Sequence, residues 1–143
     1  MSETATSSIW CQLVAEPIDL VQVQGAVEQE TCGAVVTFNG VVRNHDGGKA
    51  VLSLSYSAHP EAERQLQETC ALISKQHPGL HLAAAHRIGD LQIGDVALAV
   101  AVSSAHREAA FVACQELVDA IKAQVPIWKH QVFADGSSEW VGV

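Results

Sequence analysis

The clearest pattern of hydrophobic positions is a pair of strand-like runs with turn-forming residues between them. Residues 34–42 (AVVTFNGVV) are rich in β-branched side chains, and apolar side chains alternate with Ser over residues 51–56. Both features are typical of strands. The intervening residues 44–49 (NHDGGK) have strong turn chemistry. We therefore predict that the two runs pair as an antiparallel hairpin with a mobile tip.

Apolar residues that recur at helical spacing predict three helices. The first two, over 17–29 and 60–76, each carry a proline in the first turn, a favourable position for proline. The third begins after Ser104, which we interpret as its N-cap, and runs to about Gln124. Pro126 ends it, because proline lacks the amide hydrogen that a further helical turn needs.

The remaining apolar runs and turn signals complete the predicted fold. An antiparallel sheet combined with about three helices indicates an α+β class, and not a βαβ nucleotide-binding fold. The sequence has no internal repeat and no linker, so we expect one domain over residues 1–143, with residues 1–7 as a flexible tail. The further predicted strands are 10–14, 80–87, 95–102, 127–133 and 139–143.

Composition and charge restrict the partners of this chain. Of 143 residues, 48% are hydrophobic and 17% are charged, below the roughly 25% charged residues of an average domain. Some apolar surface is therefore expected to be shared with a partner. Sixteen acidic and eight basic residues give a net charge of −8, which argues against nucleic acid and anionic membranes as ligands. Without a secretory signal or an apolar run long enough to span a bilayer, we expect a cytoplasmic protein.

The cysteines and histidines do not predict a metal site. Cys11, Cys32, Cys70 and Cys114 form no CxxC pair, and neither they nor the seven histidines have the paired spacing of zinc ligands. We interpret the four cysteines as small apolar residues of the core, and we expect neither a metal nor a cofactor. One alternative stays open, which is a hydrolase that uses Cys32 or Cys114 with a histidine.

In so acidic a chain, the positions of the basic residues are informative. Four of them fall at the ends of predicted elements: Arg43, Arg107, Lys122 and Lys129. Because Pro126 forces the chain to turn, Lys129 returns beside the end of the helix that carries Lys122. We predict that these cationic side chains face one cavity, which would then bind a small anion.

The segment that opens the third helix is a candidate phosphate site. With Ser104 as N-cap, His106 and Arg107 lie in the first turn, where free amide groups and the helix dipole favour an anion. The alternative is an Arg107 that hydrogen bonds to Glu108 beside a histidine that only packs. Lys122 also has a purely structural interpretation, since a cation in the last turn of a helix is favourable.

Four segments resemble a known family. GAVVTFNGVVRNH (33–45), HRIGDLQIGD (86–95), SSAHREAAF (103–111) and KAQVPIWKH (122–130) are similar to the large, catalytic subunit of molybdopterin synthase, the MoaE family. Each segment alone is weak evidence. All four occur in order and with family-like spacing, and the resemblance extends from about Gly33 to Trp140.

The resemblance implies an α/β hammerhead fold with additional antiparallel strands. It also implies a sulfurtransferase that converts cyclic pyranopterin monophosphate (precursor Z) into molybdopterin by installing two dithiolene sulfurs. The implied sulfur donor is the C-terminal Gly-Gly thiocarboxylate of a small ubiquitin-like partner, the MoaD-like subunit. The implied assembly is a heterotetramer built on a homodimer of the large subunit.

The resemblance also implies which residues act. It assigns the chemistry to Lys122 and Lys129. It assigns substrate binding to Val41, Val42, Arg43, His106, Arg107, Lys122, Lys129, His130 and Gln131. The main alternative is a non-catalytic module that binds a small phosphorylated metabolite at the same helix N-terminus and needs no pair of lysines.

Overall fold

The computed structural model describes residues 6–142, which form nine strands and three helices. Residues 1–5 of the predicted tail, and Val143 of the last predicted strand, lie outside the described residues. Thr6 and Ser7 have no regular secondary structure. The elements are β1 (Ser8–Val14), α1 (Leu20–Gly25), β2 (Ala34–Val41), β3 (His45–Asp46), β4 (Lys49–Ala58), α2 (Ala62–Gln76), β5 (His81–Arg87), β6 (Gly89–Leu91), β7 (Val96–Ser104), α3 (Arg107–Gln124), β8 (Ile127–Phe133) and β9 (Ser138–Gly142).

The first sheet has the strand order β1-β5-β7-β2 and is the centre of the molecule. Only β1 and β5 are parallel; the other neighbours are antiparallel. The two central strands are buried along nearly their whole length because helices cover both faces of the sheet. Helices α2 and α3 pack their apolar faces on one side, where Leu66 and Leu117 are fully buried. Val23 and Val27 cover the alanine-rich opposite side.

The second sheet has the order β3-β4-β8-β9, and β6 also pairs with β4. Because side chains alternate along a strand, Lys129 and Gln131 of β8 lie on one face, and Trp128 and His130 lie on the other. A small cluster that includes Val42 and Ala97 joins this sheet to the start of β7. The α+β class, with mostly antiparallel pairing and three helices, is therefore confirmed.

The predicted hairpin between residues 34–42 and 51–56 is wrong. Strand β2 pairs with β7, with Phe38 opposite Val100, whereas β4 pairs with β8. The turn residues 44–49 close only the two-residue ladder between β3 and the start of β4. Turn chemistry reverses the chain locally, but burial decides which strands pair. Phe38 packs against the main core, and pairing with β7 places it there.

All three helices begin later than predicted, α2 by two residues, at Ala62. Helix α1 is only six residues long and begins after Asp19, whose carboxylate accepts a hydrogen bond from the Gln22 amide. Helix α3 begins at Arg107 with His106 as N-cap. Ser104 instead ends β7, where it is buried and its hydroxyl donates to the carbonyl of His106. Over residues 6–142, no helix combines the length and the hydrophobicity that crossing a bilayer requires.

Candidate active site

A cavity of about 250 Å³ lies where the C-terminal end of α3 meets both sheets. Three of the four predicted cations line it: Arg43, Lys122 and Lys129. The lining drawn from residues 6–142 contains no Asp or Glu. A concave site with three cations and no carboxylate favours an anionic ligand. The other lining residues are Gly40, Val41, Tyr56, His86, Ala97, Leu98, Ile121, Val125 and Ile127.

The corner between α3 and β8 brings the two lysines together. The helix ends at Gln124, and Val125 is already extended, with its amide donating to the carbonyl of Ile121 at 3.0 Å. The carbonyl of Pro126 accepts a hydrogen bond of 3.0 Å from the His59 amide, which fixes the corner to the end of β4. Strand β8 then runs back along β4. The predicted return of Lys129 beside the helix end is confirmed.

Asp46 is an acidic neighbour of the cations that the sequence analysis missed. One of its carboxylate oxygens is 3.7 Å from a guanidinium nitrogen of Arg43, and the other accepts a hydrogen bond of 2.6 Å from the Gln131 side chain. That hydrogen bond lowers the pKa of Asp46, and the charges of Lys129 and Arg43 lower it further. An ionised carboxylate thus lies beside the cavity, in a position to compete with an anionic ligand for Arg43.

Lys49, at the start of β4, anchors the turn 44–49 to the turn between β8 and β9. Its ammonium is 3.3 Å from a carboxylate oxygen of Asp135 and donates to the Ser137 hydroxyl at 3.2 Å. It also lies 5.3 Å from the centroid of the Phe133 ring. The ammonium group of Lys49 therefore has its partners outside the cavity and does not line it.

Two polar residues that the sequence analysis did not single out as site residues line the cavity, a buried histidine and a half-buried tyrosine. His86 is 2% exposed, and its ring meets the ring of Tyr56 edge-on, with centroids 5.0 Å apart. Burial lowers the pKa of His86; the hydrogen bond to the Arg87 carbonyl opposes this shift, and the nearby charge of Lys122 adds to it. Burial raises the pKa of Tyr56. Both side chains therefore face the cavity in their neutral forms near pH 7.

His106 and Arg107 do not reach this cavity in one copy of the chain. Both are exposed, and they lie at the opposite end of α3 from Lys122. At 1.5 Å per residue, the helix separates Arg107 from Lys122 by about 22 Å. The expected meeting of all four cations at one hollow is therefore not found within a single copy. The helix N-terminus and the lysine cavity are two separate places on its surface.

The remaining predicted site residues are divided between the two faces of their strands. Val41 lines the cavity, whereas the side chain of Val42 is buried in the core. Gln131 lies on the same face of β8 as Lys129 and is buried, and its amide nitrogen donates to both Asp46 and Glu139. His130 points to the opposite face and stacks on Trp140, with ring centroids 4.4 Å apart.

The cysteines give no support to a cysteine-dependent hydrolase. None of the four lines the cavity, and all are free. Burial raises the pKa of Cys114, which makes its thiolate less available. The hydrogen-bond partner of the Cys32 sulfur is the hydroxyl of Thr31, and no histidine among residues 6–142 bonds to it. In the same part of the chain, no three His, Cys, Asp or Glu side chains are grouped closely enough to hold a metal ion.

Comparison with known proteins identifies the family. A family model described as MoaE protein matches residues 13–124, well over half of the chain. The chain belongs to the MoaE family. The molybdopterin synthase catalytic subunit of Bos taurus is 37% identical over 130 residues, which span 90% of this chain and 69% of the bovine protein. The protein of the same name from Staphylococcus epidermidis is 41% identical over 132 residues, spanning 92% and 87%.

A solved structure shows the same architecture as this MoaE chain. The crystal structure of molybdopterin synthase from Staphylococcus aureus superimposes with a TM-score of 0.86 at 40% sequence identity. The match spans 92% of this chain and 96% of that chain. The resemblance deduced from the four sequence segments is thus confirmed at the level of the family and the fold.

Proposed function

We propose that this chain is the catalytic subunit of a molybdopterin synthase. It transfers sulfur from the C-terminal thiocarboxylate of a small ubiquitin-like partner to cyclic pyranopterin monophosphate. The observation that carries this proposal is the cavity in which Arg43, Lys122 and Lys129 meet without an acidic lining residue, in a chain of net charge −8. The phosphate and the thiocarboxylate are both anionic, and concentrated positive charge is what brings them together.

In this proposal, the three cations have different tasks. Arg43 offers a forked set of donors and binds the phosphate in place of Asp46. Lys122 and Lys129 lie nearest the reacting carbons, where one polarises the acyl-sulfur group and the other transfers a proton. The thiocarboxylate sulfur adds to a carbonyl carbon of the substrate, the C–O π bond breaks, and the oxygen takes a proton from one of the two ammonium groups. Water then adds to the acyl carbon and the acyl-sulfur bond breaks, leaving sulfur on the substrate and a carboxylate on the partner.

The partner tail is proposed to enter the cavity as an extended segment. Its terminal Gly-Gly has no side chains, so it passes where larger residues do not fit. Lys122 is at the exposed end of α3, and Lys129 is half-buried on β8, so the cavity is open to a chain that arrives from outside. The heterotetramer contains a homodimer of this chain together with two copies of the small subunit.

The homodimer gives His106 and Arg107 a place in the proposal. About 22 Å of helix separates Arg107 from Lys122 in one copy, so a shared substrate requires that a second copy supply Arg107.

We also propose that residues 1–143 form one domain that works in the cytoplasm. Four free cysteines support a reducing compartment.

A reconstituted assay tests the proposed function. The purified chain is mixed with cyclic pyranopterin monophosphate and the thiocarboxylated small subunit, and molybdopterin is measured. The matched control is a small subunit that ends in an ordinary carboxylate. We expect product only with the thiocarboxylate. Substrate binding without any product would favour the alternative, a non-catalytic module for a phosphorylated metabolite, and would contradict the proposal.

A further inference from the structure

The tautomer of His86 follows from its hydrogen bond. Its Nδ1 atom is 2.8 Å from the carbonyl oxygen of Arg87. A carbonyl only accepts hydrogen bonds, so Nδ1 carries the proton and donates it. In the neutral ring, Nε2 is then unprotonated and acts as an acceptor. His86 thus holds one fixed donor and one fixed acceptor.

Arg87, whose carbonyl orients the His86 ring, is itself held in place by its side chain. One guanidinium nitrogen of Arg87 donates to a carboxylate oxygen of Asp95 at 3.1 Å, and the other terminal nitrogen donates to the carbonyl of Asp90 at 3.3 Å. The same oxygen of Asp95 accepts the amide of Gln92 at 2.9 Å. On its other side, His86 meets the ring of Tyr56. The imidazole therefore has a defined orientation without any ligand.

The acceptor atom of His86 faces the open cavity. Within residues 6–142, Nε2 has no protein hydrogen-bond partner. In that part of the chain, Nε of Arg87 is the side-chain polar atom that is both fully buried and without a hydrogen-bond partner. Because Nε2 of His86 also has no partner, it is not fully buried and keeps contact with open space. The space that His86 lines is the cavity of Lys122 and Lys129. The same reasoning applies to the hydroxyl of Tyr56.

The surroundings of His86 make its Nε2 unusual. The ionisable groups that share the cavity are Arg43, Lys122, Lys129 and Tyr56. The first three only donate hydrogen bonds, and the tyrosine hydroxyl both donates and accepts. Nε2 is thus the one ring-nitrogen acceptor in the lining described by residues 6–142. A ligand that carries both an anionic group and a ring N–H satisfies this arrangement, whereas a simple phosphate satisfies only the cations.

We infer that His86 determines specificity by accepting, through Nε2, a hydrogen bond from a ring N–H of the substrate heterocycle. This inference rests on the proposed function, which supplies a substrate with a phosphate and a nitrogen heterocycle. The cations bind the anionic end of the substrate. His86 recognises the heterocycle of the substrate and orients it relative to Lys122. The Tyr56 ring supports this orientation through its edge-on contact.

Equilibrium binding of cyclic pyranopterin monophosphate and of inorganic phosphate tests the inference. His86→Phe keeps a ring against Tyr56 but removes the acceptor, and we expect it to raise the Kd for the pterin about tenfold, the effect of one lost hydrogen bond. His86→Gln retains an acceptor oxygen and is expected to stay within about threefold of wild type. The Kd for inorganic phosphate is expected to be unchanged in both variants.

His81→Phe is the matched control. His81 is also a buried histidine of β5, 4% exposed, but its ring bonds to the hydroxyl of Ser8 and it does not line the cavity. Its substitution is expected to leave both affinities unchanged. The inference is overturned if folded His86→Phe binds the pterin as tightly as wild type, or if it loses phosphate affinity to the same extent. A wild-type protein that does not bind the pterin contradicts the proposed function instead.

Discussion

At the scale of single residues, the contact between Asp46 and Arg43 places a carboxylate where the proposed ligand's anion would bind. The carboxylate lies 3.7 Å from the guanidinium and shares its surroundings with Lys129. A ligand anion at Arg43 therefore replaces an anion that the protein already supplies.

Asp46→Asn is expected to strengthen substrate binding. The amide keeps an oxygen that accepts the hydrogen bond from Gln131, but it no longer competes for Arg43. Because exposed ion pairs are worth at most about 1 kcal/mol, we expect a decrease in the Kd for cyclic pyranopterin monophosphate of about threefold. Calorimetric titration measures it. An unchanged or higher Kd would show that Asp46 does not compete with the ligand.

The cationic residues of the cavity could be predicted from the sequence, whereas His86 and Tyr56 in its lining and Asp46 beside it could not. Lys122 and Lys129 stand out because Pro126 lies between them and forces a corner. His86 lies in a strand in which six of seven residues are buried, so its pattern is that of a core residue. Its position at the cavity depends on Tyr56, which belongs to the other sheet and which no local spacing relates to it.

At the scale of elements, the close approach of Gly33 to the start of α3 places a steric limit on the fold. A Cβ atom at Gly33 would lie 3.0 Å from the backbone carbonyl of Ala105, next to the N-cap His106. A backbone atom cannot move aside as a side chain does. The packing of the residues before β2 against the segment that leads into α3 therefore depends on a residue without a side chain.

Gly33→Ala is expected to lower the free energy of unfolding by about 1 kcal/mol, because overpacking outweighs the loss of unfolded-state entropy. Gly25→Ala is the matched control, since Gly25 is helical and a Cβ there has no neighbour within 4 Å. We expect that variant to be more stable by about 0.5 kcal/mol. Urea denaturation measures both changes, and equal effects of the two substitutions would contradict this view of Gly33.

The turn between β8 and β9 gives a prediction about pH. Asp135 accepts hydrogen bonds from the amide and the hydroxyl of Ser137, and these bonds, with the charge of Lys49, lower its pKa from 3.8 to about 2. A lowered pKa in the folded state stabilises the protein above pH 3.8, and this contribution is lost as the pH falls towards 2. We therefore expect Asp135→Asn to be less stable than wild type at pH 6 and equally stable near pH 2. A difference in urea midpoint that did not vary with pH would be inconsistent with this cause.

The elements themselves were easier to predict than their pairing. The ends of α2 and α3 follow from helical periodicity and Pro126, and they agree with the structure, whereas α2 begins two residues after its predicted start. The predicted partner of β2 was wrong. The turn chemistry of residues 44–49 favoured the next strand in the sequence, although β7 is the strand against which β2 buries its apolar face. Long-range burial is not visible in a local pattern of residues.

At the scale of the whole molecule, the two ends of α3 carry different parts of the proposed site. Lys122 belongs to the cavity, and His106 and Arg107 belong to the opposite end of the helix. The family was identified correctly from the four sequence segments, and the α+β class from the predicted strands and helices. The separation of Arg107 from Lys122 follows already from the predicted helix, because the two residues lie in its first and last turns. The expectation that all four cations meet at one cavity overlooked the length of that helix.

Mixing two defective variants tests whether copies share a site. Arg107→Ala is expected to raise the KM for substrate, and Lys122→Ala to abolish turnover. If a second copy supplies Arg107, each mixed dimer holds one intact site, and a randomly mixed population regains about one quarter of wild-type activity at low substrate concentration. The assay compares the mixture with each variant alone. A mixture no more active than its components would contradict a shared site.

The most direct measurement of the central claim is the single-turnover rate of molybdopterin formation by Lys122→Ala and Lys129→Ala, with thiocarboxylated small subunit and saturating substrate. Loss of one preorganised electrostatic group typically lowers a rate by about 100- to 1,000-fold, and we expect losses of that size in both variants. Lys75→Ala is the matched control, because Lys75 is an exposed lysine in the last turn of α2, as Lys122 is in α3, and lies outside the cavity. We expect Lys75→Ala to react at the wild-type rate. Wild-type rates for both cavity variants would contradict the claim that this cavity performs the sulfur transfer.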